Sequence, residues 1–170
     1  MNERATLLAE RFLQMHAGVL AVIEQCSDDQ WNMMCAEEGE SVGVVMHHIA
    51  VAYDMEVELI RATLAGEPVP GIYTDGALLN QWHAEHAQEF QGCKRDETRA
   101  LLHQNGSTTA SFIAGVDTEQ LNVLIHVPQM VEWWDGQPPS IDQIIEDVLI
   151  GHPSDHLASI RATVRSEAQP

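Results

Sequence analysis

The sequence predicts an all-α protein, a bundle of four principal helices forming one domain over residues 1–170. Three observations lead there. Apolar residues recur at steps of three and four over long stretches, the period of one buried helix face. Helix-starting and helix-stopping residues punctuate those stretches. At 170 residues and 45% hydrophobic composition the chain can bury one full core and is short for two.

The first helix, about residues 3 to 26, follows from the stripe Leu8, Phe12, Met15, Val19, Val22 and Cys26, and Ser27 with Asp28-Asp29 interrupts it. Trp31 opens a loop holding Glu37, Glu38, Gly39 and Glu40. Ser41 then suits the N-cap of a second helix reaching Leu64, which Gly66 and Pro68 stop. Its stripe is Val42, Val45, Ile49, Ala52, Met55 and Leu59, and His48 falls on the same side, pointing inward.

Pro68 to Gly76 reads as a crossover loop, and a third helix starts near Ala77. It either runs on or breaks at Gly92 and resumes from Asp96, since Leu101, Asn105, Thr108 and Phe112 keep helical spacing despite Gly106. From Val116 to Pro139 the residues Pro128, Trp133-Trp134, Asp135-Gly136 and Pro138-Pro139 predict a long loop whose aromatics fold back onto the bundle. Ser140 followed by Gln143 is a capping-box pattern opening the fourth helix. Its stripe is Ile141, Ile145, Val148, His152, His156 and Ser159. Pro153 removes the backbone bond to Leu149 and predicts a bend there.

Charge excludes some functions. Against 26 acidic residues stand 8 basic ones, a formal charge of -18, which repels nucleic-acid phosphates and anionic lipid surfaces. The opening MNERATLLAERF lacks the pattern of a secretory signal, and no stretch is read as a transmembrane span. Cys26, Cys35 and Cys93 are widely spaced and make no C-x-x-C, which suits reduced thiols in a cytoplasm. Phosphate-cradling loops and G-x-S-x-G are missing.

The chemistry concentrates in histidines. His152 and His156, at i and i+4, lie one above the other on a helix face, where both imidazoles can reach one divalent ion. His48 can add a third nitrogen from across the bundle, leaving coordination positions for water or substrate. Taken singly, each is also explained as a core histidine bonded to a carbonyl or carboxylate, but three unpartnered buried imidazoles would cost several desolvation penalties. His83 and His86, with Glu85 and Glu89, form a competing pair, read here as an exposed polar face. His152-Pro153-Ser154-Asp155-His156 has the outline of H-x-x-E-H, but Asp155 replaces the base glutamate and a proline interrupts it, which argues against a peptidase.

The phrase VGVVMHHIA in the second helix and IIEDVLIGHPSDHLASIRA near the C-terminus resemble the DinB/YfiT-like superfamily of metalloenzymes. The likeness covers nearly the whole chain and includes an N-terminal helix ending before a Trp and an Asn in the third helix, at Asn80. By position, the resemblance implies metal ligands His48, His152 and His156, with His48 chosen over His47 because it directly precedes Ile-Ala. It further implies a four-helix bundle, often a homodimer. Three imidazoles suit zinc, nickel, copper or iron alike, and zinc, nickel or iron is the expected ion. Relatives activate a low-molecular-weight thiol for S-transfer or isomerisation, or hydrolyse small electrophiles, so the expectation is a cytoplasmic, metal-dependent transferase or hydrolase on a small-molecule substrate. Two other readings stay open: a non-catalytic, stress-associated dimer with a structural or vestigial metal site, and a binding module for a hydrophobic ligand.

Overall fold

Side-chain capping divides the chain. In the computed structural model, which describes residues 2–127, 132 and 134–166, the Asn2 side chain accepts from the Arg4 N–H and opens helix α1 (Glu3–Gln25). Ser27 and Gln30 form a reciprocal capping box around the single turn α2 (Asp28–Trp31). A small antiparallel hairpin follows, β1 (Met34–Cys35) against β2 (Glu40–Ser41), with Met34 opposite Ser41 and Cys35 opposite Glu40. Gly39 closes its turn at φ 71°, the left-handed region that favours glycine.

Ser41 accepts from the Val44 N–H and starts α3 (Val42–Ala65), which Gly66 ends at φ 67°. After a 3₁₀ turn (Gly71–Tyr73), Asp75 caps α4 (Gly76–Glu89). The third predicted helix is thus two: the chain turns at Gly92, φ 78°, and resumes as α5 (Arg95–Gly115). The stretch expected as a long loop contains a further turn of helix, α6 (Thr118–Leu121), held by an Asp117–Gln120 capping box. Part of that loop, Pro128 and Trp133 included, lies outside the described residues. Trp134 does fold back, its indole N–H donating to Asp147 Oδ2 at 3.0 Å. Ser140 and Gln143 close the expected capping box at α7 (Ile141–Ile144).

The last segment departs from the sequence expectation. Pro153 does not lie inside one continuous α-helix; Ile145–Gly151 winds as π-helix and hands over to α8 (His152–Ser166). The His152 N–H reaches back five residues to Asp147 O, so Pro153 falls in the first turn of a new α segment, where a missing N–H costs little.

The long helices α1, α3, α5 and α8 pack on one another, α5 and α8 each touching both α1 and α3. Phe12, Ile49, Tyr53, Leu102, Ile113, Ile145 and Ile160 meet in the shared core. Burying each such side chain stabilises the fold by about 1.5–3 kcal/mol before entropy is counted. Of the predicted α1 stripe, Leu8, Phe12, Val19 and Cys26 are buried, while Met15 and Val22 are half-buried beside the buried His16 and Ile23. Gly106 explains itself here, because a Cβ on it would lie 2.3 Å from His16 Nε2, so α5 approaches α1 only without a side chain.

By length and composition α1 is apolar enough to cross a membrane, which corrects the expectation that no stretch is. Its apolar stripe is buried against the other helices, as in a core helix. Cys26, Cys35 and Cys93 are all free thiols, and burial pushes each of them up.

Candidate metal centre

Two helices bring the three histidines together. His48 comes from the second turn of α3, and His152 and His156 from the first two turns of α8. Because the α register begins at His152, the i,i+4 pair shares one face, with ring centroids 4.3 Å apart. The His48 ring stands nearly perpendicular to both, at 5.5 Å from His152 and 5.1 Å from His156. One ring nitrogen of each lies within 4.8 Å of the others, a grouping that can hold a metal ion.

The hairpin supplies what the sequence reading missed. Its turn carries Glu38 to within 2.9 Å of His156 Nδ1. A carboxylate there accepts from Nδ1–H, fixes the tautomer, and leaves the lone pair on Nε2, which faces His152 Nε2 at 2.8 Å. Glu38 was only one of several acidic loop residues in the sequence; the signal was Gly39, which closes a turn short enough to aim its neighbour.

Electrostatics keep the His48 and His152 rings in the metal-binding form. Burial pushes His48 down to about 2, assisted by His156, His152, His83 and His86. Burial likewise lowers His152 to about 4, with His156 the next cause. Both are therefore neutral at pH 7, with lone pairs to give. A tetrahedral ion at about 2.0–2.1 Å from each nitrogen needs donors about 3.3 Å apart. The 2.8 Å pair lies just inside that spacing, and all three donors lie within 4.8 Å of one another. The donor set fits a divalent cation.

His47 lies elsewhere. Its ring is stacked on Phe90 at 3.7 Å, and its Nδ1 sits 2.9 Å from His86 Nε2. The pair expected on an exposed face divides: His83, Glu85 and Glu89 are exposed, but His86 is buried with a pKa lowered to about 4, chiefly by burial. His86 turns inward because it pairs with His47 and stacks on Trp82, 5.2 Å away. Asp155 is exposed, and His126 is exposed in its loop.

A cavity of about 400 Å³ opens at the histidines, walled by the hairpin, α3, α4 and α8 and lined by Glu38, Asn80, His83 and His86 besides the triad. A second cavity, about 320 Å³, begins at His48 and His152 and runs along α3 between Met55, Leu79, Trp82 and Val148 to Glu56 and Tyr73. Glu56 was also missed, although a charged residue four after Ala52 on an apolar stripe is a visible anomaly.

Comparison of the chain with family models, with curated proteins and with solved structures finds no match.

Proposed function

We propose that this chain is a DinB/YfiT-like four-helix bundle that holds zinc, nickel or iron on His48, His152 and His156 and acts on a small electrophile, as a thiol S-transferase or a hydrolase. The observation that carries the reading is the set of three imidazoles with donor nitrogens within 4.8 Å, opening onto a cavity of about 400 Å³. A divalent ion with open positions supplies a lowered pKa to a bound thiol or water, producing a nucleophile at neutral pH.

The chain's own residues do the remainder. His48 and His152 stay neutral and bind, and Glu38 holds His156 in the tautomer that donates from Nε2. Among the described residues the triad is the one metal-sized group of histidine, cysteine and carboxylate donors, so its open side faces the cavity rather than a fourth protein ligand. That favours a catalytic site over a closed structural one. The resemblance, rather than any contact in the chain, leads us to propose a cytoplasmic homodimer and a low-molecular-weight thiol as co-substrate.

The test is elemental mass spectrometry on untagged protein, followed by thiol-consumption and hydrolysis assays over a panel of electrophiles with and without metal. We expect near-stoichiometric metal and metal-dependent turnover. Failure to retain zinc, nickel or iron after reconstitution would refute the metal site, and a loaded but inert protein would refute the enzymatic reading.

A further inference from the structure

The α3 face that carries His48 also carries Glu56, eight residues and about 12 Å further along the helix axis. Glu56 is 9% exposed, and its Oε2 has no hydrogen-bond partner among the described residues. The Tyr73 hydroxyl beside it, on the 3₁₀ turn, is buried and acts on that carboxyl without a well-formed hydrogen bond to it or to any other group among the described residues. Both line the far end of the second cavity, whose walls are otherwise apolar: Ala52, Met55, Ile72, Leu79, Trp82 and Val148. A buried carboxyl and phenol that have only each other leave hydrogen-bonding capacity unused unless a ligand supplies what they lack.

The geometry points to a binding subsite in this cavity for a small molecule with an apolar body and a terminal primary ammonium, held at Glu56 and Tyr73. An ammonium offers three N–H donors, enough for Glu56 Oε2 and the Tyr73 oxygen together, and supplies the counter-charge that lets a buried carboxylate ionise. The Trp82 ring in the cavity wall adds a surface a cation favours. A carboxylate-ended ligand would meet Glu56 and a chain of formal charge -18, and an uncharged alcohol would leave the carboxyl without a counter-ion. Burial raises Glu56 to about 7, with Tyr73 pulling it part of the way back, consistent with a group poised to ionise against a cation. At about 320 Å³ the cavity lies at the small end of ligand pockets. A molecule seated there would present its other end to His48 and His152. That it is the substrate rests on the proposed function; that it binds does not.

The experiment is calorimetric titration of metal-stripped protein with n-hexylamine, 1-hexanol and hexanoate near neutral pH. Stripping the metal removes direct amine coordination as an explanation and separates this claim from the metal reading. Hexylamine is expected to bind at least about ten-fold tighter than 1-hexanol, the scale of one charge-assisted hydrogen bond. The preference should fall to within two-fold in Glu56→Gln, weaken in Tyr73→Phe, and persist in His48→Ala. Glu56→Leu, which fills the same space without a polar group, repeats the test should Glu56→Gln fail to fold. No binding of hexylamine, equal binding of 1-hexanol, or a preference that survives loss of Glu56 would each overturn the assignment.

Discussion

Replacing Glu38 tests how the site is built, because it removes a group that touches a proposed ligand histidine without being one. The Glu38 carboxylate lies 2.9 Å from His156 Nδ1, with side chains 22% and 15% exposed, so the bond is partly shielded from water. Losing such an outer carboxylate costs about 10–100-fold in metal affinity, or about 1.4–2.7 kcal/mol at 1.36 kcal/mol per decade. Glu38→Gln keeps an acceptor for Nδ1–H and loses the charge, so it should sit near the ten-fold end. Glu38→Ala frees the ring to rotate and to exchange tautomers, and should sit near the hundred-fold end. Glu37→Ala, an exposed neighbour of the same charge, controls for the general acidic field and should change affinity by less than about two-fold, since a surface charge is screened within about 8 Å at physiological salt. The assay is competition for zinc against a chromophoric chelator. Unchanged affinity in Glu38→Ala would refute the orienting role, and an equal loss in Glu37→Ala would show that long-range charge, not the hydrogen bond, sets the affinity.

His48→Ala, His152→Ala and His156→Ala should each lose stoichiometric metal, read by elemental mass spectrometry, while the exposed His103→Ala keeps it; retention in any of the three would remove that residue from the ligand set. Gly106→Ala should destabilise by about 1–3 kcal/mol in urea titration, because a Cβ 2.3 Å from His16 Nε2 outweighs the roughly 1 kcal/mol helix preference of alanine; a gain in stability would show that the His16 ring can retreat. His16, pushed down to about 4 by burial, contributes stability that is fully present above pH 6.5 and lost as pH falls from 6.5 towards 4. His16→Gln should therefore flatten the acid limb of stability of the metal-stripped protein by up to about 3 kcal/mol, and an unaltered limb would place the titration in other histidines.

Much of the helical framework was legible because capping and periodicity are local. Ser41, Gly66 and the Ser140–Gln143 box mark helix ends in the structure as they do in the sequence. Where local rules met a competing contact, they gave way. Periodicity placed Met15 on the buried stripe, but the gap opposite Gly106 admits a ring and draws His16 inward. Polarity placed His86 outside, but His47 across the helix interface offers it a partner at 2.9 Å. Pro153 was placed within an unbroken α register, and the π-helical run before it changes that register.

The candidate site divides along the same line. His152 and His156 were visible as a pair because four residues of α-helix bring them together, and His48 because it shares a stripe with Val45 and Met55. Glu38 and Glu56 were not, since each matters only through a tertiary neighbour, His156 for one and Tyr73 for the other. Yet the two acids give the histidines a direction. Glu38 aims a nitrogen lone pair into the cavity from the hairpin side, and Glu56 sits at the far end of an apolar channel starting at the same rings. A site used only to store a cation has no need of that channel or of a buried carboxyl without a counter-charge at its end. A site that must hold a small molecule at one end while its other end reaches a bound ion needs both.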